Sequence, residues 1–214
     1  NIIIAIPSLS RRNRNKIIKK LIPICSSISS LPEKNFYKLN KINFNDLSEI
    51  PLDELFNKDK NDLKTRNLTN FTYKNILVTG GAGSIGTEIS KQLLNYNPQK
   101  IIVLDHSEFN IYRFNQKILN KKIKLVLGDI KDTDLLENII LKNNINYIFH
   151  AAAYKHVKFL EENVVSAVKN NVLGTHSILK AIKGKKINFV FISTDKAVKP
   201  KNVLGFTKRI GELL

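Results

Sequence analysis

The sequence predicts an α/β protein built on a doubly wound parallel sheet, preceded by the tail of another α/β domain. Three observations carry this. Apolar runs at residues 76–78, 101–104, 123–127, 147–149 and 189–192 are continuous rather than alternating, the pattern of strands covered on both faces. Helical patterns fill the gaps, at about 84–95, 109–119, 134–142 and 166–183, and strands alternating with helices make parallel sheets. A separate apolar run, residues 2–6, ends at Pro7 and reads as a buried strand ahead of that repeating unit.

Taken in order, Ser8 or Ser10 can cap a helix whose apolar positions Ile17, Ile18, Leu21 and Ile22 recur at helical spacing. Residues 23–70 are weaker, rich in Ser, Asn, Lys and Asp and broken by Pro32 and Pro51. They read as the end of the first domain and a connector with short helices. The resulting division is 1–50, a connector at 51–72, and the main domain at 73–214. The chain opens at Asn1, contains no Met, and stops within a helical pattern, so the expectation is an internal piece of a longer protein.

Composition narrows the classes. The 214 residues are 43% hydrophobic and 25% charged, which excludes a disordered tail. No stretch approaches the roughly 20 apolar residues that span a bilayer. Cys25 is the lone cysteine, which excludes a disulfide framework and a cysteine-rich zinc site. Lys+Arg exceed Asp+Glu by 35 to 18, a net charge of +17. Lysine is spread along the chain, however, and aromatics do not interleave with it as a base-stacking platform requires, so no nucleic-acid partner is expected. The densest basic stretch, residues 11–16, reads as the exposed face of a helix.

The decisive segment is Asn75-Ile-Leu-Val-Thr-Gly-Gly-Ala-Gly-Ser-Ile-Gly86. A strand runs into Gly80-x-x-Gly83-x-x-Gly86 and a helix begins at once, with Ser84 and Ile85 in its first turn. Glycines here permit a tight turn, close backbone approach to a pyrophosphate and close helix packing; the helix start then receives the phosphates. Asp105, 19 residues beyond Gly86, ends the next strand, where a carboxylate accepts hydrogen bonds from a ribose diol and repels a 2′-phosphate. The expected cofactor is therefore NAD on a Rossmann-type sheet. Asp129 and Ile130 follow the third strand and are placed beside the adenine. Ala151 and Ala152 follow the fourth, where small side chains let a cofactor lie against the sheet.

Further segments narrow the family: Leu104-Asp-His-Ser-Glu108, His150-Ala-Ala-Ala-Tyr-Lys-His-Val157, Asn170-Asn-Val-Leu-Gly-Thr175, Ile192-Ser-Thr-Asp-Lys-Ala-Val198 and Gly205-Phe-Thr-Lys-Arg209. Together they resemble the CapD-like polysaccharide-biosynthesis family of the extended short-chain dehydrogenase/reductase superfamily, the membrane-anchored UDP-N-acetylglucosamine 4,6-dehydratases. The resemblance implies a lyase with tightly bound NAD acting on a UDP-sugar. It also implies a preceding nucleotide-binding-like domain, of which residues 1–50 would be the end. By the same resemblance the parent protein sits at the cytoplasmic face of the inner membrane, held by amino-terminal helices that this chain lacks, and a carboxy-terminal segment grips the sugar. A homo-oligomer is left open.

The resemblance assigns the chemistry to the end of the fifth strand. Asp195 would protonate the departing C6 oxygen, Lys196 would take the C5 proton, and Thr194 would hydrogen-bond the C4 oxygen, with Ser193 a weaker candidate. Lys208 matches the superfamily's active-site lysine, which holds the nicotinamide ribose and biases the local field. Leu204 stands where that superfamily has a tyrosine, leaving the group that deprotonates the C4 hydroxyl open, with Asp195 the nearest candidate. Lys155 would contact the substrate, and Asn171 resembles the superfamily's structural asparagine. His150 and His156 have no ligand-spaced partners, so no metal is expected. The alternatives are a nucleotide-sugar 4-epimerase, disfavoured by the missing tyrosine, and a catalytically silent NAD-binding module.

Overall fold

The computed structural model describes residues 69–214 throughout and, ahead of them, residues 2–4, 6, 13, 17, 20–21, 28–30 and 48–49. The chain divides into two compact units, Asn1–Asn67 and Leu68–Leu214. In the first, β1 (Ile2–Ile4) pairs in parallel with β2 (Ile28–Ser30), which pairs antiparallel with β3 (Ser48–Glu49). Residues 13, 17, 20 and 21 are helical, as the spacing of Ile17 and Leu21 requires. The proposed Ser8 or Ser10 cap, and Ile18 and Ile22, lie outside the described residues. The expected connector at 51–72 is described only from residue 69, where Thr69–Phe71 form a 3₁₀ turn. β2 and β3 fall within residues 1–50, the part expected to end the first domain. Pairing with a distant strand supplies hydrogen bonds that a local reading cannot see.

In the second unit β4 (Asn75–Thr79), β5 (Lys100–Asp105), β6 (Ile123–Leu127), β7 (Tyr147–His150) and β8 (Asn188–Phe191) form one sheet in the order β6-β5-β4-β7-β8. Every pairing is parallel. Successive residues of each strand point to opposite faces, and both faces are covered. Leu77, Ile102, Leu104 and Ile148 enter one cluster with Leu136, Ile140 and Ile178. Ile76, Val78, Ile101 and Val103 enter the other with Leu93 and Phe114. That two-sided burial is why the strands read as unbroken apolar runs.

The helices are α1 (Ser84–Leu94), α2 (Glu108–Lys117), α3 (Thr133–Asn143), α4 (Val157–Glu162), α5 (Val164–Ala167), α6 (Gly174–Ile182) and α7 (Val203–Leu213). Ser107, Asp132 and Asn202 each accept a backbone N–H at the helix start and fix where α2, α3 and α7 begin. The helix expected over 166–183 is interrupted by a π-helical turn, Val168–Leu173, and α4 precedes it unpredicted. A π turn inserts one residue into the ladder without altering composition, so periodicity does not reveal it.

Candidate functional site

The strand order reverses between β4 and β7, the position where open parallel sheets bind ligands beyond their carboxyl ends. A groove of about 150 Å³ lies there, walled by the glycine turn and by the exits of β5, β6 and β7. Gly80 has φ +61°, and a Cβ on it would stand 2.5 Å from the Ala152 Cα and 2.6 Å from its nitrogen. Both conformation and space exclude a side chain. At Gly86 a Cβ would meet the Gly80 carbonyl oxygen at 2.4 Å, because α1 packs directly on the turn. Gly83 leads into α1, and no side chain caps that helix, so its first N–H groups remain free to meet an anion.

Asp105 is 5% exposed at the end of β5. Its Oδ2 accepts the Ala82 N–H at 3.2 Å and its Oδ1 the Ser107 N–H at 3.0 Å, which ties the β5 exit to the glycine turn. A carboxylate offers about four acceptor positions, so it retains capacity for a ligand hydroxyl. Past β6, Asp129 pairs with Lys131 at 2.7 Å. Partial burial pushes the Asp129 carboxyl up, but Lys131, aided by His106, outweighs it and holds the group below its ordinary value. Gly80, Gly83, Ser84, Ile85, Gly86, Asp105, Asp129, Ile130, Ala151 and Ala152 all line this groove, with Lys155 at its β7 side. Asn110 and Asn170 line it as well and were missed. Asn110 sits one turn into α2, a position that helical geometry after the Ser107 cap could have revealed. Asn170 reaches the groove from the π turn.

A second set gathers two strands from β4, at the exit of β8. Thr194 opens a 3₁₀ turn, Asp195–Ala197, and its hydroxyl donates to Asp195 Oδ1 at 2.9 Å. Lys196 Nζ stands 3.6 Å from the same oxygen. The Thr194 hydroxyl first, and Lys196 second, hold the Asp195 carboxyl below its ordinary value. Lys208, on α7, is 6% exposed; its Nζ donates to the Ile192 carbonyl at 2.8 Å and lies 4.5 Å from the centre of the Phe191 ring. Burial pushes its ammonium down to about 8, opposed by Glu212. Thr194, Asp195, Lys196 and Lys208 do not line the groove at the glycine turn; Lys208 is bonded to the Ile192 carbonyl just past β8. Leu204 is buried with Leu160 and Ala167.

Between the two sets lies a buried polar network. The Thr175 hydroxyl donates to the Asn171 carbonyl at 2.6 Å, so it accepts from His150 Nε2 at 3.0 Å, and His150 Nδ1 accepts from Thr79 at 2.6 Å. Burial, reinforced by Lys208, pushes the His150 ring down to about 3 and keeps it neutral. The Asn171 side chain bonds both backbone groups of Tyr154 and the Thr207 hydroxyl, joining the groove wall to α7. Among the described residues no three His, Cys, Asp or Glu side chains cluster as metal ligands, and no helix is long and apolar enough to cross a membrane.

A family model described as polysaccharide biosynthesis protein matches residues 76–214. The chain is 38% identical over its whole length to the capsular polysaccharide biosynthesis protein CapD of Staphylococcus aureus, covering 37% of that protein. Over 67% of its length it is 34% identical to an inverting UDP-N-acetylglucosamine 4,6-dehydratase of Campylobacter jejuni, covering 43% of it. Among solved structures, UDP-glucose 4-epimerase from Brucella ovis in complex with NAD superposes with a TM-score of 0.57 at 27% identity, over 65% of this chain and 46% of that one. The chain thus spans about two fifths of the length of these curated relatives.

Proposed function

The chain belongs to the polysaccharide biosynthesis protein family, and from that premise we propose that it is the NAD-binding part of a nucleotide-sugar 4,6-dehydratase acting on a UDP-N-acetylglucosamine-like substrate. The reading of NAD rests on a cradle a Cβ would fill at Gly80, an uncapped helix start, and the Asp105 carboxylate at the β5 exit. NAD, when bound, supplies the redox capacity for C4 and C6 of the sugar. The protein supplies positions and protons.

The observation that carries the dehydratase reading is the Asp195–Lys196 couple beyond β8. Elimination of water across C5 and C6 needs a base at C5 and an acid at the C6 oxygen. In the proposed sequence Asp195, held ionised by Thr194 and Lys196, first accepts the C4 hydroxyl proton while Thr194 holds that oxygen. With the C4 hydride passed to the nicotinamide that a bound NAD would supply, C4 becomes a ketone and C5 is acidified. Lys196 takes the C5 proton, the electron pair forms the C5–C6 double bond, and the C6 oxygen leaves with the proton from Asp195 as water; the hydride would then return to C6 and the proton on Lys196 to C5. Lys208, buried against the same exit, adds a positive field that favours proton loss from the C4 oxygen. Lys155 meets the substrate or its phosphates from the groove wall.

The epimerase alternative has its own support in the Brucella ovis likeness. Here, however, position 204 holds a leucine buried in an apolar cluster, where no proton transfer is available. The full-length parent protein, given UDP-N-acetylglucosamine without added oxidant or reductant, is expected to release a product lighter by one water. A product of unchanged mass would indicate an epimerase; bound NAD without turnover would indicate a silent module.

A further inference from the structure

Beyond β8 only Ile192 and Ser193 separate the strand from the turn bearing Thr194, Asp195 and Lys196. α7 grips both. The Lys208 ammonium holds the Ile192 carbonyl at 2.8 Å, and the Ser193 hydroxyl donates to Glu212 Oε1 at 2.5 Å. Glu212 Oε2 meanwhile accepts from Arg209 Nη1 at 3.0 Å. Lys208 and Glu212 are four residues apart, hence on one face of the helix. The other end of α7 presses on the turn itself: a Cβ at Gly205 would stand 2.4 Å from the Lys196 carbonyl oxygen.

We propose that Glu212 is a positioning residue: with Ser193 it forms a clamp that sets the turn carrying the proposed acid and base. This rests on the dehydratase reading for its catalytic meaning, though not for its geometry. Ser193 has its hydroxyl committed to the clamp and is thereby removed from the candidates for direct contact with the sugar. Glu212 belongs to none of the apolar clusters, so the clamp can be opened without removing core. The Ser193 hydroxyl first, and Arg209 next, hold the Glu212 carboxyl below its ordinary value, as expected of a carboxylate fixed by two donors.

The test compares the full-length protein with Glu212→Ala, Ser193→Ala, the double variant and Glu212→Asp, by amide hydrogen exchange and by turnover of UDP-N-acetylglucosamine. Loss of one charge-assisted hydrogen bond predicts about tenfold faster exchange at Ala197 and Val198, whose N–H groups close the turn, in each single variant. The double variant should be no faster, since both changes break one contact. Exchange in β4 and β7 and retention of NAD should be unchanged, kcat should fall with KM nearly constant, and Glu212→Asp should recover part of the loss. Unchanged exchange, or accelerations that multiply in the double variant, would overturn the clamp. A wild-type protein that makes no lighter product would sink the dehydratase reading, while exchange still decides the clamp.

Discussion

Asn171 grips Tyr154 by both sides of its backbone: its Oδ1 accepts the Tyr154 N–H at 2.8 Å and its Nδ2 donates to the Tyr154 carbonyl at 3.0 Å. The same amide donates to Thr207 at 3.1 Å, so one side chain fixes the groove wall beyond β7 against the helix that carries Lys208. Replacing it by alanine takes this partner from both Tyr154 backbone groups and from the Asn170 amide, and one of two bonds from the Thr207 hydroxyl, which still donates to the Leu204 carbonyl. Asn171→Ala is expected to lower stability by about 4 kcal/mol, at roughly 1 kcal/mol for each of the four lost side-chain bonds. Urea denaturation measures it; a loss below about 1 kcal/mol would show that the grip is replaceable.

Gly80→Ala meets two obstacles at once, a positive φ and the Ala152 backbone. The turn has to shift, and with it the free N–H groups of α1. The expected outcome is a stability loss above roughly 1 kcal/mol together with loss of co-purifying dinucleotide, assayed by heat release and chromatography. Full dinucleotide occupancy in the variant would contradict the cradle.

His150 gives the fold a pH dependence with a definite sign. Its folded value of about 3 lies below the ordinary 6.5, so the unfolded chain binds a proton that the folded one excludes. The contribution to stability is complete above pH 6.5 and declines as pH falls toward 3, by roughly 1.4 kcal/mol per pH unit. Denaturation midpoints between pH 7 and pH 5 should fall more steeply in the wild type than in His150→Gln, whose amide can still bond both threonines. Equal slopes would place the ring in contact with water.

What the sequence showed and hid follows from the range of the interactions. Two-sided burial writes itself into 76–78 and 101–104 as apolar runs; the Ser107 and Asp132 caps span only three residues and lay within reach of a local reading, though neither was among the sequence-based expectations. The glycine turn was legible because its steric demand leaves no other residue type at Gly80. The Asn170 approach to the groove was not, because it depends on a π turn set by packing. Nor was the Ser193–Glu212 bond, which joins residues 19 apart across a strand exit and a helix. β2 was hidden because its partner, β1, lies far away in the chain.

The most direct measurement takes the full-length Lys196→Ala variant, checks its bound dinucleotide, adds UDP-N-acetylglucosamine and follows the near-ultraviolet absorbance of reduced nicotinamide alongside product mass. If the coenzyme lies over the sheet with the base at Lys196, the variant keeps its dinucleotide, accumulates the reduced form and releases no product lighter by one water. Loss of the dinucleotide, or elimination at the wild-type rate, would contradict that arrangement.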